Sequence, residues 1–339
     1  MTMVLHRFFL FAVLAGFCLH AEADIHPCRI QTRPRMRVII DNDFSGDPDG
    51  LFALAHLLLS PSVETRAIIG SHLSVKDGFD PSVQQAQNAI NRASTLVKLL
   101  KVLDNSIPLI AGSNVAMPND STGVMDKAVE FIIQEAMRTD TKLPLYIVCG
   151  AGLTEVASAL LKKPEIAGKF TLVWIGGPEY PGMAFHPPGG IHREYNLNID
   201  LSAAKFVFNR STVNIWQVPR DAYRQCLVTF SQLQLHVQSK CPAGKYLYEQ
   251  LMQVNDRFHI NGEAYILGDN PLVLLTALQS YFDPDPSSSK YMPRKAPLIN
   301  GNGWYQDNPD GREIRVYTHL DTQFMFNDFF DKLQLLNQQ

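Results

Sequence analysis

Cysteine, excess charge and long apolar runs are all scarce in this chain, and each shortage removes a class of protein. Five cysteines in 339 residues cannot staple a fold together, so a hydrophobic core must hold it, and 46% hydrophobic residues supply one. With 30 Lys and Arg against 33 Asp and Glu, the net charge is -3. No basic face remains for nucleic acid, and a small-molecule partner is favoured. The one strongly apolar run, residues 8–19, stops short of the roughly 20 residues that cross a bilayer. It follows His6 and Arg7 and precedes Ala21-Glu22-Ala23, the order of a secretory signal peptide. Cleavage after Ala23 is expected to leave residues 24–339 as a secreted or periplasmic protein with no membrane segment. A lipid anchor would ask for a small residue before Cys18, and Phe17 stands there.

Export permits disulfides. Cys28, Cys149, Cys226 and Cys241 remain after cleavage. Cys226 with Cys241 is the first pairing to test, because the two flank a polar helical segment, and Cys149 at the end of an apolar strand reads as a buried thiol. Four reduced thiols are the alternative. Asn119-Asp-Ser and Asn209-Arg-Ser fit the N-glycosylation pattern.

What the chain does have is a crowd of acids. Met36-Arg-Val-Ile-Ile-Asp41-Asn-Asp43-Phe-Ser-Gly-Asp47-Pro-Asp49-Gly50 places four carboxylates within nine residues, between a β-branched run and an apolar helix beginning at Leu51. Four anions so close repel unless a cation sits among them, and the all-oxygen donor set suits Ca²⁺ or Mg²⁺. Helix capping and Asp-Pro-Asp-Gly turn chemistry account for one or two of these side chains. They leave Asp41 and Asp43, at the strand end, unexplained.

Apolar strands are expected at 63–70, 107–112, 145–149, 170–175 and 213–218. Helices are expected at 82–103, 125–137, after Leu153, and at 202–209. This alternation implies an α/β fold, a mostly parallel sheet covered by helices on both faces. A Gly-, Pro- and His-rich stretch, 176–198, reads as a long functional loop. Beyond it, 230–259 reads as helical with a break near Pro242, 271–281 as a helix and 283–297 as a loop. A strand at 313–317 and a helix at 322–336 follow. No repeat or linker divides the chain, so a single domain is expected. Trp174 and Trp216, inside strands, are expected to pack in the core.

The acidic loop resembles the start of the nucleoside hydrolase family, the Ca²⁺-dependent N-ribohydrolases of inosine–uridine type, whose pattern is Asp-x-Asp-Pro-Gly-x-Asp-Asp before an apolar helix. Further segments resemble the family in the same order: Ser60-Pro-Ser-Val-Glu-Thr-Arg-Ala-Ile69, Ala151-Gly-Leu-Thr-Glu155, Ile175-Gly-Gly177, Arg193-Glu-Tyr-Asn196 and Gly268-Asp269-Asn-Pro271. The resemblance implies a nucleosidase that frees ribose from its base with a metal-activated water. It implies that Asp43 binds Ca²⁺ and takes the water's proton, and that Asp269 and the Gly150 carbonyl complete the shell. Asp49, Glu194 and Asn196 would hold the ribose, with Asp41 supporting the loop from behind. Homo-oligomers are expected by the same analogy.

Departures from the pattern leave choices open. The loop is two residues longer than the family's. Asp49 and Gly50 fall over the paired aspartates, so one carboxylate ligand is missing, and Asp47 or Asp49 is the candidate to replace it. Ser74 stands for an Asn that positions the sugar. Gly268 stands where purine-preferring members carry a His that protonates the leaving base. His186, His192, Tyr195 or an aromatic stack are the candidates for that task. Two other classes compete: a non-catalytic member that binds a riboside or a protein, and a haloacid dehalogenase-type phosphohydrolase using Asp41-Asn-Asp43-Phe-Ser45.

Overall fold

β-Branched strands and amphipathic helices alternate along the chain as the periodicity requires. The computed structural model describes residues 32–101, 107–188, 192–280 and 288–337. The expected signal peptide and Cys28 lie outside the described residues. Eight strands form the central sheet: β1 (Met36–Asn42), β2 (Val63–Gly70), β3 (Leu109–Ala111), β4 (Leu145–Cys149), β5 (Phe170–Ile175), β6 (Asn214–Val218), β9 (Lys290–Lys295) and β12 (Glu313–His319). Their order is β3-β2-β1-β4-β5-β6-β12-β9. Every neighbouring pair is parallel except the last, where β9 runs antiparallel to β12. Two short pairs stand apart: β7 (Leu227–Thr229) with β8 (Ala264–Ile266), and β10 (Leu298–Ile299) with β11 (Tyr305–Gln306).

Because successive strand residues point to opposite faces, Val38 and Ile40 enter one core while Ile39 enters the other. Helices α1 (Asp49–Leu58), α2 (Gln85–Leu100), α9 (Pro242–Phe258), α10 (Pro271–Leu274) and α11 (Thr322–Leu336) supply the first core. The second takes α3 (Lys127–Ala136), α4 (Thr154–Lys162) and α6 (Leu201–Asn209). Trp174 and Trp216 are buried in the two cores, as expected. The shorter helices α5 (Tyr195–Ile199), α7 (Arg220–Tyr223) and α8 (Phe230–Leu233) lie in connections. Sheet order reverses between β1 and β4, and there the carboxyl ends of two adjacent strands open a crevice.

Three expectations need correction. The stretch 283–297 holds strand β9, with Pro293 in it; an edge strand tolerates proline and charge that a central one does not. The helix expected over 271–281 shrinks to α10, where the Thr276 hydroxyl bonds the Leu272 carbonyl and the chain goes on in turns. Cys226 and Cys241 are free thiols. Cys226 is buried in the core, while the Cys241 sulfur accepts from the Gly244 amide and caps α9, whose first residue is the expected breaker Pro242. Cys149 is a buried free thiol, as read from sequence. Of the two glycosylation motifs, Asn119 is exposed, but the Asn209 amide is engaged on both sides by the Ile299 backbone.

His56 of α1 is buried between its own helix and α11, with Nε2 2.8 Å from Asp328 Oδ2, an oxygen that also accepts from Lys332. Burial pulls its pKa down to about 4, and Lys332 adds to this against the opposing hydrogen bond to Asp328. The folded His56 is therefore neutral where the unfolded one, with a pKa near 6.5, takes a proton. The contribution of neutral His56 to stability is complete above about pH 6.5 and is lost as pH drops toward 4, by on the order of 3 kcal/mol. In thermal melts from pH 7 to 4 the wild type should lose stability relative to His56→Gln by about that amount; a difference between the two that does not change with pH would refute the assignment.

Candidate active site

The crevice at the β1–β4 reversal holds a cavity of about 230 Å³. Asp43, Asp47, Asp49, Gly150, Glu194, Asn196 and Asp269 all line it, so residues from both halves of the chain meet there. Asp41 does not. It lies behind the cavity, where the Ser71 hydroxyl donates to Oδ1, and Oδ2 is buried without a partner. Burial, with the Asp126 charge added and the Ser71 bond opposing, raises its pKa to about 7.

Each cavity carboxylate is held differently. Asp43 is buried just past β1, and its pKa is pushed well above the usual range by burial, then by the charges of Asp269, Asp47, Asp77 and Asp41. Asp47 is half-buried, and the Tyr265 hydroxyl lies 3.0 and 2.9 Å from its two oxygens. Burial raises it to about 6 against that bond and the Asp49 amide. Asp49 opens α1 and is raised by burial and by Asp269, Asp47 and Asp43. Asp269, before α10, accepts from Asn42 Nδ2 at 2.8 Å and is raised to about 7 by burial, with Asp47 and Glu194 adding to this.

Glu194 is the N-cap of α5 and is nearly saturated. Oε2 accepts from the Gly177 and Leu197 amides at 2.8 and 2.9 Å, and Oε1 from the Asn196 amide and the Tyr223 hydroxyl at 3.1 and 3.0 Å. The turn that delivers the Gly177 amide needs glycine. Its φ is +91°, and a Cβ there would lie 2.0 Å from the Tyr305 hydroxyl. Asn196 donates to the Ile175 carbonyl at 2.9 Å.

Of the aromatic wall, sequence reasoning named Tyr195 and missed Phe79 and Tyr223. Phe79 and Tyr195 line the cavity with ring centroids 6.3 Å apart, Phe258 packs on Phe79, and Tyr195 donates to Asp77 at 2.8 Å. Tyr223 and Ile266 complete that side. Nothing in the local sequence around Phe79 or Tyr223 marks either one. The histidines proposed for the leaving group are elsewhere: His186 pairs with Glu179, and the His192 carbonyl accepts from Arg220. Neither lines the cavity, and neither does Ser74, whose carbonyl accepts from Gln85. Among the described residues no lysine lines it, and the phosphohydrolase reading asks for one.

A family model for the inosine-uridine preferring nucleoside hydrolases matches residues 38–319. The chain belongs to that family. Its fold is similar to that of a purine-preferring ribonucleoside hydrolase from Gardnerella vaginalis, with a TM-score of 0.67 and 20% identity over 89% of this chain and 99% of that one. An inosine-uridine preferring nucleoside hydrolase from Bacillus anthracis gives 0.61 at 20% identity, and the plant nucleoside hydrolase PpNRh1 gives 0.63 at 19%, each over 89% of this chain and 99% of its own. No curated protein matches by sequence.

Among the described residues of this nucleoside hydrolase family member, no three His, Cys, Asp or Glu side chains are gathered as a metal ion's ligands. The oxygens at the cavity floor are of mixed kind. They include the carboxylates of Asp43 and Asp269, the Gly150 main chain and, pressed against Asp269, the buried Asn42 amide with its oxygen unpartnered. A hard divalent cation fits that chemistry, because it is oxygen-only, anionic and short of hydrogen-bond donors.

The loop leading to Glu194 is pinned by Arg220, whose Nε and Nη2 each lie 2.6 Å from a Glu179 oxygen while Nη1 donates to the His192 carbonyl. Both side chains of the pair are buried. Arg220→Met strands the Glu179 charge and should cost about 3–5 kcal/mol in denaturant unfolding. Arg220→Met with Glu179→Leu should recover much of that loss, and no recovery would show the charge pair is not its cause.

Proposed function

We propose that the protein is an exported, Ca²⁺-dependent hydrolase that cleaves the N-glycosidic bond of a ribonucleoside. The observation that carries this reading is the meeting of Asp43, Asp49 and Asp269 with an aromatic wall in one cavity at the sheet's reversal point. Asp43, Asp269, the Gly150 carbonyl, and Asp47 or Asp49 are the residues that would hold Ca²⁺. Tyr265 already engages both oxygens of Asp47, which favours Asp49. The ion, when bound, supplies an acidified water and orients the ribose diol.

The chain's own residues do the rest. Asp43, just past β1 in the cavity, accepts the proton of the attacking water. Asp49 and Glu194 place negative charge beside the ribosyl cation-like state. Glu194 takes a sugar hydroxyl at Oε1 by exchange with Tyr223, and Asn196 holds the adjoining hydroxyl. The departing base lies against Phe79 and Tyr195. Among the described residues no histidine lines the cavity, and Tyr195, which does, is the remaining candidate to protonate the base.

Export rests on the N-terminal pattern of residues 1–23 and the uncharged run within it. Release of ribose from a nucleoside panel, with Ca²⁺ and with a chelator, tests the catalytic reading. Turnover should require Ca²⁺, and Asp43→Asn should lower kcat/KM by about 10²- to 10⁴-fold. Hydrolysis that survives both treatments removes the mechanism. A Ca²⁺-dependent rise in melting temperature with no turnover on any nucleoside assigns the protein to riboside binding without catalysis.

A further inference from the structure

Asn42 closes β1 and is fully buried, and its two amide atoms are unequally served. Nδ2 donates to Asp269 Oδ2 at 2.8 Å, whereas Oδ1 has no hydrogen-bond partner although no solvent reaches it. The amide fills space that two glycines leave open. A Cβ at Gly50 would lie 2.7 Å from Oδ1, and one at Gly150 would lie 2.5 Å from Nδ2. Asn42 thus excludes any side chain at residue 50 and stands against Asp269 and Gly150, both of which line the cavity.

Resting on the reading of this cavity as a Ca²⁺ site, we propose that Asn42 is itself a ligand of the ion, through Oδ1. A half-turn about the Cβ–Cγ bond exchanges the two amide atoms without changing the volume they fill. The oxygen then takes the place of Nδ2, 2.8 Å from Asp269 Oδ2. Two acceptor oxygens at that distance repel unless a cation joins them. The same separation lies within the roughly 2.8–3.4 Å between neighbouring oxygens of a Ca²⁺ shell with bonds of about 2.3–2.6 Å. Without the ion, only the amide N–H satisfies Asp269; with it, only the oxygen does. Asn42 thereby adds a neutral oxygen to the carboxylates of the cavity.

Ca²⁺ titration by calorimetry, paired with melting curves with and without the ion, tests this without reference to turnover. The full chain should bind Ca²⁺, and Asp43→Ala should abolish binding. A wild type that binds no Ca²⁺ at millimolar concentration overturns the metal reading and this inference together. Given wild-type binding, Asn42→Leu should weaken affinity at least tenfold, while Asn42→Asp, which keeps an oxygen and loses the N–H, should match or exceed the wild type. Unchanged affinity in Asn42→Leu overturns the inference. So does weakened affinity in Asn42→Asp, because that result assigns Asn42 the role of an N–H donor to Asp269. If Asn42→Leu does not fold, Asn42→Asp alone decides.

Discussion

Mutual repulsion among carboxylates is the constraint around which the middle of this molecule is arranged. Asp43 and Asp269 are buried, Asp47 and Asp49 are half-buried beside them, and the neighbours' charges add to burial in raising the pKa of Asp43, Asp49 and Asp269. Such a group is unfavourable for the isolated chain. The fold offsets it with neutral donors: Asn42 toward Asp269, Tyr265 toward Asp47, Ser71 toward Asp41. None of these donors carries a charge, so the cavity keeps its negative field. The guanidinium of Arg220, on the element that carries the cavity residue Tyr223, is committed to Glu179.

Positioning these groups needs only what a parallel sheet provides. The Gly150 amide donates to the Asp41 carbonyl at 3.1 Å, fixing β4 against β1 one residue past their last paired positions. Trp174 reaches across from β5 to donate to the Ala151 carbonyl at 3.0 Å, so the turn after β4 is buttressed from the neighbouring strand. Asn270, next to Asp269, lies 3.5 Å from His56 of α1, and the same helix carries Asp49 at its start. The acidic residues therefore stand on elements that are packed against one another. A shift of α1 would move Asp49 and disturb the support of Asp269 together.

The sequence made the middle of the sheet legible because β1, β4, β5 and β6 are largely buried and read as mainly apolar runs, and the site was legible because Asp41, Asp43, Asp47 and Asp49 have no shared structural use. Legibility ended where tertiary context decides. Strand β9, with its Pro293 and three basic residues, is stable only as an antiparallel edge on β12. The tyrosines that hold Asp47 and Glu194 come from β8 and α7 and bear no local mark of their partners. Cys226 and Cys241 flank a helical segment as a disulfide might, yet one sulfur is in the core and the other caps α9. Local pattern cannot distinguish those fates, because both satisfy the same spacing.

Gly50 and Gly268 first read as losses, a missing carboxylate and a missing imidazole. Geometry gives each a different meaning. At residue 50 the space is filled, since Asn42 Oδ1 would stand 2.7 Å from a Cβ there, so residues 42 and 50 form one packing unit in which only one can bear the group that fills it. At residue 268 the space is less crowded: a Cβ would meet Asp49 and Tyr223 at 3.3 Å, and the cavity wall passes over the glycine. The first change is compensated within the chain by a polar group of similar reach, and the second is not. On the proposed reading, a site that keeps its oxygen donors without an imidazole retains the means to grip a sugar and gives up one means of protonating a base. Selectivity, on that reading, falls to the aromatic wall of Phe79, Tyr195 and Tyr223, which line the cavity and offer faces on which a base can stack.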